Sequence, residues 1–149
     1  MKLEFDVKRA GFWDLRELVQ LNRRCFSYID AYGWMGCFGL LVSPNLSAYK
    51  ALVEGEMCGF ISGVSYPERE FAMLITVMVD ESWRRKGLAS LLVERFEEDQ
   101  DPGRLLCLTV RVNNGSAIQL YQKLGYTIVE RRERYYGDGD AYIMHKINQ

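Results

Sequence analysis

The chain reads as a single α/β domain on a mixed sheet, and three observations predict it. Strand-like and helix-like runs alternate from one end to the other. At 149 residues there is enough chain for one hydrophobic core and no second one. No internal repeat, low-complexity tract or linker-like stretch divides it, so residues 1–149 are expected to form one domain.

Each element has its own signal. Met1-Lys2-Leu3-Glu4-Phe5 alternates polar and apolar, which predicts a first strand rather than the continuous apolar core of a signal peptide. Leu15, Leu18, Val19, Asn22 and Phe26 share one helical face, with Asp14 placed as an N-cap. Residues 30–41 suggest a second helix, against which the spacing of Gly33, Gly36 and Gly39 counts. Residues 48–53 and 57–66 predict a hairpin about Glu54-Gly55-Glu56. A turn at residues 67–70 leads to residues 71–79, whose β-branched and apolar content suits a central strand buried on both faces. Leu88, Leu91, Leu92, Val93 and Phe96 form a helical stripe that Asp101-Pro102-Gly103 stops. A strand at 105–112, a helix at 116–124 and strands at 126–132 and 141–147 complete the order.

Composition narrows the function. A formal net charge of -1 lacks the positive excess that drives binding to nucleic acid or anionic membrane, leaving only Arg84-Arg85-Lys86 and Arg131-Arg132 as local patches. Neither partner is expected, and monomer and homodimer both stay open. Cys25, Cys37, Cys58 and Cys107 show no Cys-x-x-Cys pairing and His145 is the single histidine, so no metal is expected. Reduced thiols suit the cytoplasm. The nearly apolar run at 33–42 is too short to span a bilayer.

The chemistry concentrates where the central strand ends at Val79-Asp80 and Arg84-Arg85-Lys86-Gly87-Leu88-Ala89 opens a helix. A helix start offers unpaired N–H groups and the positive end of its dipole, which together bind a pyrophosphate. Gly87 lets backbone approach the anion, Ala89 is nearly as small, and three cations add attraction. The alternative from residues alone is a solvated basic turn before an ordinary helix.

Two motifs, in order, extend this. Arg84, Gly87 and Ala89 resemble the Arg/Gln-x-x-Gly-x-Gly/Ala motif of the GNAT acetyltransferase superfamily, with Val77-Met78-Val79-Asp80 and Trp83 as its lead-in. Asn114, Ala117, Tyr121, Gly125 and Tyr126 are similar to that family's Asn-x-x-Ala-x-x-x-Tyr-x-x-x-Gly-Phe/Tyr signature. The resemblance implies a GNAT fold: a mixed central sheet with helices on both faces and a splayed central strand pair. It implies acetyl-coenzyme A as co-substrate, its arm meeting the backbone of Val77, Met78 and Val79. It also places the pyrophosphate on the segment Arg84, Arg85, Lys86, Gly87, Leu88, Ala89 and Ser90. Asn114 is implied as a coenzyme A contact or a helix cap, and Tyr121 as proton donor to the leaving thiolate or a core tyrosine.

Within the superfamily, Arg131-Arg132-Glu133-Arg134-Tyr135-Tyr136 and the residues after it are most like the branch that acetylates protein N-termini, including the bacterial ribosomal-protein alanine acetyltransferase. That likeness implies Tyr135 and Tyr136 as walls of an acceptor groove, with Tyr28 or Tyr32 opposite; a strand-edge aromatic cluster is the alternative. Thr109 stands where the branch carries glutamate or histidine, and its hydroxyl orients water but is no base near neutral pH. Glu68 and Glu70 are the substitutes the sequence offers. The implied activity is direct transfer of acetyl to a primary amine, favouring a protein or peptide N-terminus. A small-amine acetyltransferase and a non-catalytic acyl-coenzyme A sensor are the alternatives.

Overall fold

The computed structural model describes residues 5–26 and 32–149. Among them are seven strands: β1 (Asp6–Arg9), β2 (Leu46–Val53), β3 (Glu56–Tyr66), β4 (Phe71–Val79), β5 (Leu105–Arg111), β6 (Thr127–Arg132) and β7 (Ala141–Ile147). Four helices accompany them: α1 (Leu15–Cys25), α2 (Trp34–Val42), α3 (Leu88–Glu98) and α4 (Gly115–Lys123). The sheet order is β1-β2-β3-β4-β5-β7-β6. Only β4 and β5 run parallel, as the helical crossover α3 between them requires. The mixed sheet is therefore as expected.

Leu18 and Leu21 of α1 and Cys37, Leu40 and Leu41 of α2 pack with Ala48, Phe60 and Met78 on one face of the sheet. Leu88, Leu92, Val93 and Phe96 of α3 pack on the other face with Ile61, Leu106, Leu108 and the α4 residue Tyr121. Close helix–sheet approach on this second side depends on Gly59 and Gly63. A Cβ at Gly59 would come within 3.0 Å of Leu88, and one at Gly63 would overlap the Phe96 ring. Glu54 and Gly55, both at positive φ, close the β2–β3 hairpin as a two-residue turn.

Two expectations need correction, and a third holds against its own glycines. The first strand is Asp6–Arg9, later than the alternation at 1–5 suggested, and residues 1–4 lie outside the described residues. Three of its four residues are charged, so pairing with β2 rather than periodicity makes it a strand. Asp14 does not cap α1 through its side chain. Its carboxylate accepts from the Gly11 N–H at 3.0 Å and from Lys50 at 2.7 Å, which closes the 3₁₀ turn before the helix. Residues 34–42 are helical despite their glycines, because Cys37, Leu40 and Leu41 bury against the sheet and tertiary packing outweighs propensity.

The two features that create a site lie on β4. Register between β3 and β4 jumps from Ser62↔Thr76 to Gly63↔Leu74, leaving Ile75 as a bulge residue. The bulge reverses the strand's facing: Ala72 and Leu74 before it, and Val77 and Val79 after it, all serve the α3 core, while Met78 serves the α1–α2 core. β4 then pairs with β5 only at Phe71↔Leu105, Ala72↔Leu106 and Met73↔Cys107. Beyond Met73 the strands part, and each has a partner on its far side only.

Candidate active site

The splay leaves one backbone edge of β4 without a strand. Val79 directs its carbonyl to that side, where it accepts from Arg84 Nε at 3.0 Å and Cys25 Sγ at 3.4 Å. Backbone groups alternate sides along a strand, so Val77 also faces the opening while Met78 faces β3. The side chain of Met78 is buried beneath α1 as well, so of the three positions expected from sequence Val77 and Val79 turn their backbone to the opening and Met78 does not.

At the end of β4, Asp80 accepts from Ser82 N–H and pairs with Arg24 at 2.9 Å, shaping the 3₁₀ turn Glu81–Trp83. Arg85 (φ 64) and Gly87 (φ 80) are left-handed on either side of Lys86, an alternation that turns successive N–H groups toward one concave side. Gly87 is the residue before α3 and supplies no side-chain cap, so the first-turn N–H groups of Leu88, Ala89 and Ser90 stay available. A Cβ at Gly87 would have nothing within 4 Å, so its backbone lies open. Arg85 and Lys86 are exposed, whereas the Leu88 side chain is core and only its backbone can serve an anion.

Tyr121 and Thr109 lie on opposite faces of β5. Tyr121 is buried in the α3–α4 core with Leu108 and Val110, edge-on to Tyr126 at 5.9 Å. Burial, reinforced by nearby Tyr136, pushes its phenol up to about 12, so it holds its proton at neutral pH. Thr109 is half-buried on the other face and pairs with Ile143 of β7. Asn114 caps α4, its Oδ1 accepting from Ala117 N–H at 3.3 Å, which leaves its amide N–H groups for any cofactor contact. Glu68 and Glu70 are exposed at the joined end of the strand pair, where Glu70 accepts from Leu105 N–H. About six residues of strand, roughly 20 Å, separate Glu70 from Thr76, so neither carboxylate reaches the splay. His145 is half-buried in β7 opposite Cys107.

Two walls flank the Thr109 side. The β6–β7 loop carries Tyr135 and Tyr136, rings 5.0 Å apart and edge-to-face. Arg111, two residues along β5 from Thr109, stacks its guanidinium 4.3 Å over the Tyr136 ring and reaches Asp138 at 3.3 Å. Asp140 anchors the loop through Arg134 N–H at 2.9 Å and Arg131 at 2.8 Å, and these two donors, in that order, hold its carboxyl below the usual range. On the opposite side, Tyr32 meets Thr76 with its phenol and lies near Tyr136. Tyr28 falls outside the described residues.

Residues 14–126 match the Acetyltransferase (GNAT) family. The chain belongs to that family. It is 28% identical to an N-alpha-acetyltransferase of Saccharolobus solfataricus over 155 aligned positions, covering 95% of this chain and 92% of the relative. Its fold superposes on the Escherichia coli ribosomal-protein-S18-alanine N-acetyltransferase with a TM-score of 0.85 at 22% identity, covering 98% of this chain and 95% of that one. Ard1 from Thermoplasma volcanium superposes with a TM-score of 0.84 at 26% identity, covering 99% of each chain.

In this GNAT acetyltransferase the structure brings to the splay or its walls residues that sequence motifs left out. Arg111 follows Thr109 by two on a strand, which puts both on one face, so alternation was its only local signal. Thr76 had none, because a bulge decides its facing, and the helical stripe that carries Asn22 signalled burial but not its partner ten residues away.

Proposed function

We propose that the protein transfers acetyl from acetyl-coenzyme A directly to the α-amine of a protein or peptide N-terminus in the cytoplasm. The observation that carries this is the splay itself: an open helix start and Tyr121 serve one side of it, and Thr109 with facing tyrosines serves the other. The named N-alpha-acetyltransferase and ribosomal-protein alanine acetyltransferase relatives support the same acceptor class. Four free thiols support a reducing compartment.

On this reading the N–H groups from Arg85 to Ser90 hold the pyrophosphate, and Val77 and Val79 pair with the arm. The amide N–H groups of Asn114 add a polar contact. Tyr135, Tyr136 and Tyr32 line the acceptor path. The amine's lone pair attacks the thioester carbonyl carbon, the C–S bond breaks, and the phenol of Tyr121 protonates the departing thiolate. Thr109 orients a water that takes the amine's proton; with no carboxylate at that position, proton removal leans on solvent.

The test is thiol release from acetyl-coenzyme A over a panel of N-terminal peptides, polyamines, amino acids and aminoglycosides. Turnover with peptides is expected. Turnover with small amines alone would favour the small-amine reading, and coenzyme A binding without turnover the sensor reading.

A further inference from the structure

Asn22 sits on the buried side of α1 with no solvent exposure, a position where an amide must find partners. Both halves of its side chain are committed to one residue. Nδ2 donates to the Tyr32 carbonyl at 2.7 Å, and Oδ1 accepts from the Tyr32 N–H at 3.2 Å. Two bonds, to the N–H and the C=O of a single residue, fix that residue's place and orientation as a strand partner would. The ring is held too. Phe26 meets it edge-on with centroids 6.3 Å apart, and it lies against the α2 backbone at Gly36, where any Cβ would come within 3.2 Å of Tyr32 Cβ. Held in this way, the phenol reaches Thr76, the buried residue that the β4 bulge turns to this face.

Asn22 spends both of its polar groups on the residue whose phenol reaches Thr76, on the β4 segment that has parted from β5. Resting on the reading above that the splay accepts a peptide amine, we infer that Asn22 is a positioning residue of the acceptor site, acting through Tyr32. Gly36 belongs to the same device, because it is the surface on which the ring rests. Tyr32 then presents a fixed wall near Tyr136 against which the acceptor is oriented.

A double-mutant cycle in the full chain tests this, with peptide steady-state kinetics, acetyl-coenzyme A kinetics and melting temperature read on each protein. Asn22→Ala should raise the peptide KM about 10-fold and leave the acetyl-coenzyme A KM within about twofold. In a Tyr32→Ala background the same change should add less than about twofold, because the residue it acts through is gone. Equal peptide effects in both backgrounds would overturn the inference and leave Asn22 a structural residue. Should Asn22→Ala not fold, Gly36→Ala gives the answer from the other side. It removes a glycine from a helix, so melting temperature should hold or rise, while the displaced ring raises peptide KM several-fold. Unchanged peptide KM in folded Gly36→Ala would equally overturn it. A wild-type protein that acetylates no peptide defeats the acceptor reading instead, an outcome distinct from an additive cycle in an active enzyme.

Discussion

Replacement of Gly87 separates binding by backbone from binding by charge. The residue has φ 80 and open space around its missing Cβ, so a side chain there meets backbone strain and no clash. Asparagine and aspartate tolerate the left-handed region best and both can cap a helix, so Gly87→Asn and Gly87→Asp should melt within a few degrees of each other and of wild type. They differ by one negative charge. A carboxylate about 5 Å from a phosphate is unfavourable by about 1–3 kcal/mol over effective dielectric constants from bulk water to a protein surface. About 2 kcal/mol corresponds to roughly 30-fold in affinity. Arg85→Ala removes one exposed cation, and an exposed charge contact is worth about 0.2–1 kcal/mol, at most about fivefold. Calorimetric titration with acetyl-coenzyme A should therefore rank the losses Gly87→Asp, then Gly87→Asn, then Arg85→Ala. Equal losses for Gly87→Asp and Arg85→Ala would place the phosphates away from the α3 start and refute the argument.

Tyr121→Phe should fold, bind acetyl-coenzyme A and lose about 10²-fold in kcat; full activity would remove the proton-donor role. The raised phenol also links to stability: unfolded it ionises near 10.0 and folded near about 12, so its contribution is full below 10 and is lost as pH rises to 12. Two units correspond to about 2–3 kcal/mol, and Tyr121→Phe should flatten that part of a denaturation-versus-pH curve. Tyr135→Ala with Tyr136→Ala should raise the peptide KM and spare that of acetyl-coenzyme A, whereas unaltered peptide kinetics would point to small amines. Thr109→Glu should raise peptide turnover near neutral pH if proton removal limits the rate; a folded variant with no gain would show that solvent already suffices. Gly63→Ala places a Cβ against the buried Phe96 ring and 2.9 Å from the Met73 carbonyl, so chemical denaturation should show a loss of about 1–3 kcal/mol.

What the sequence by itself determined was whatever a short stretch of chain settles alone. Apolar stripes at helical spacing set α1 and α3, and the Phe71–Val79 run set β4, because a buried face must recur at the element's own period. The helix start at Gly87 was legible for the same reason, since strand end, basic turn, glycine and helix are contiguous and the proposed anion site consists of their backbone. Tertiary structure decided everything that depends on which way a residue faces or what lies across a gap. A single bulge at Ile75 sends Thr76 to the α1 face, and strand alternation turns the Met78 backbone away from the opening. The charged β1 is a strand only because β2 lies beside it, and Glu68 and Glu70 are remote because the β4–β5 pair opens from the other end. Asn22 belongs to the same class: its place on the α1 stripe predicted burial, but its two partners are backbone atoms of a residue that folding alone brings to it.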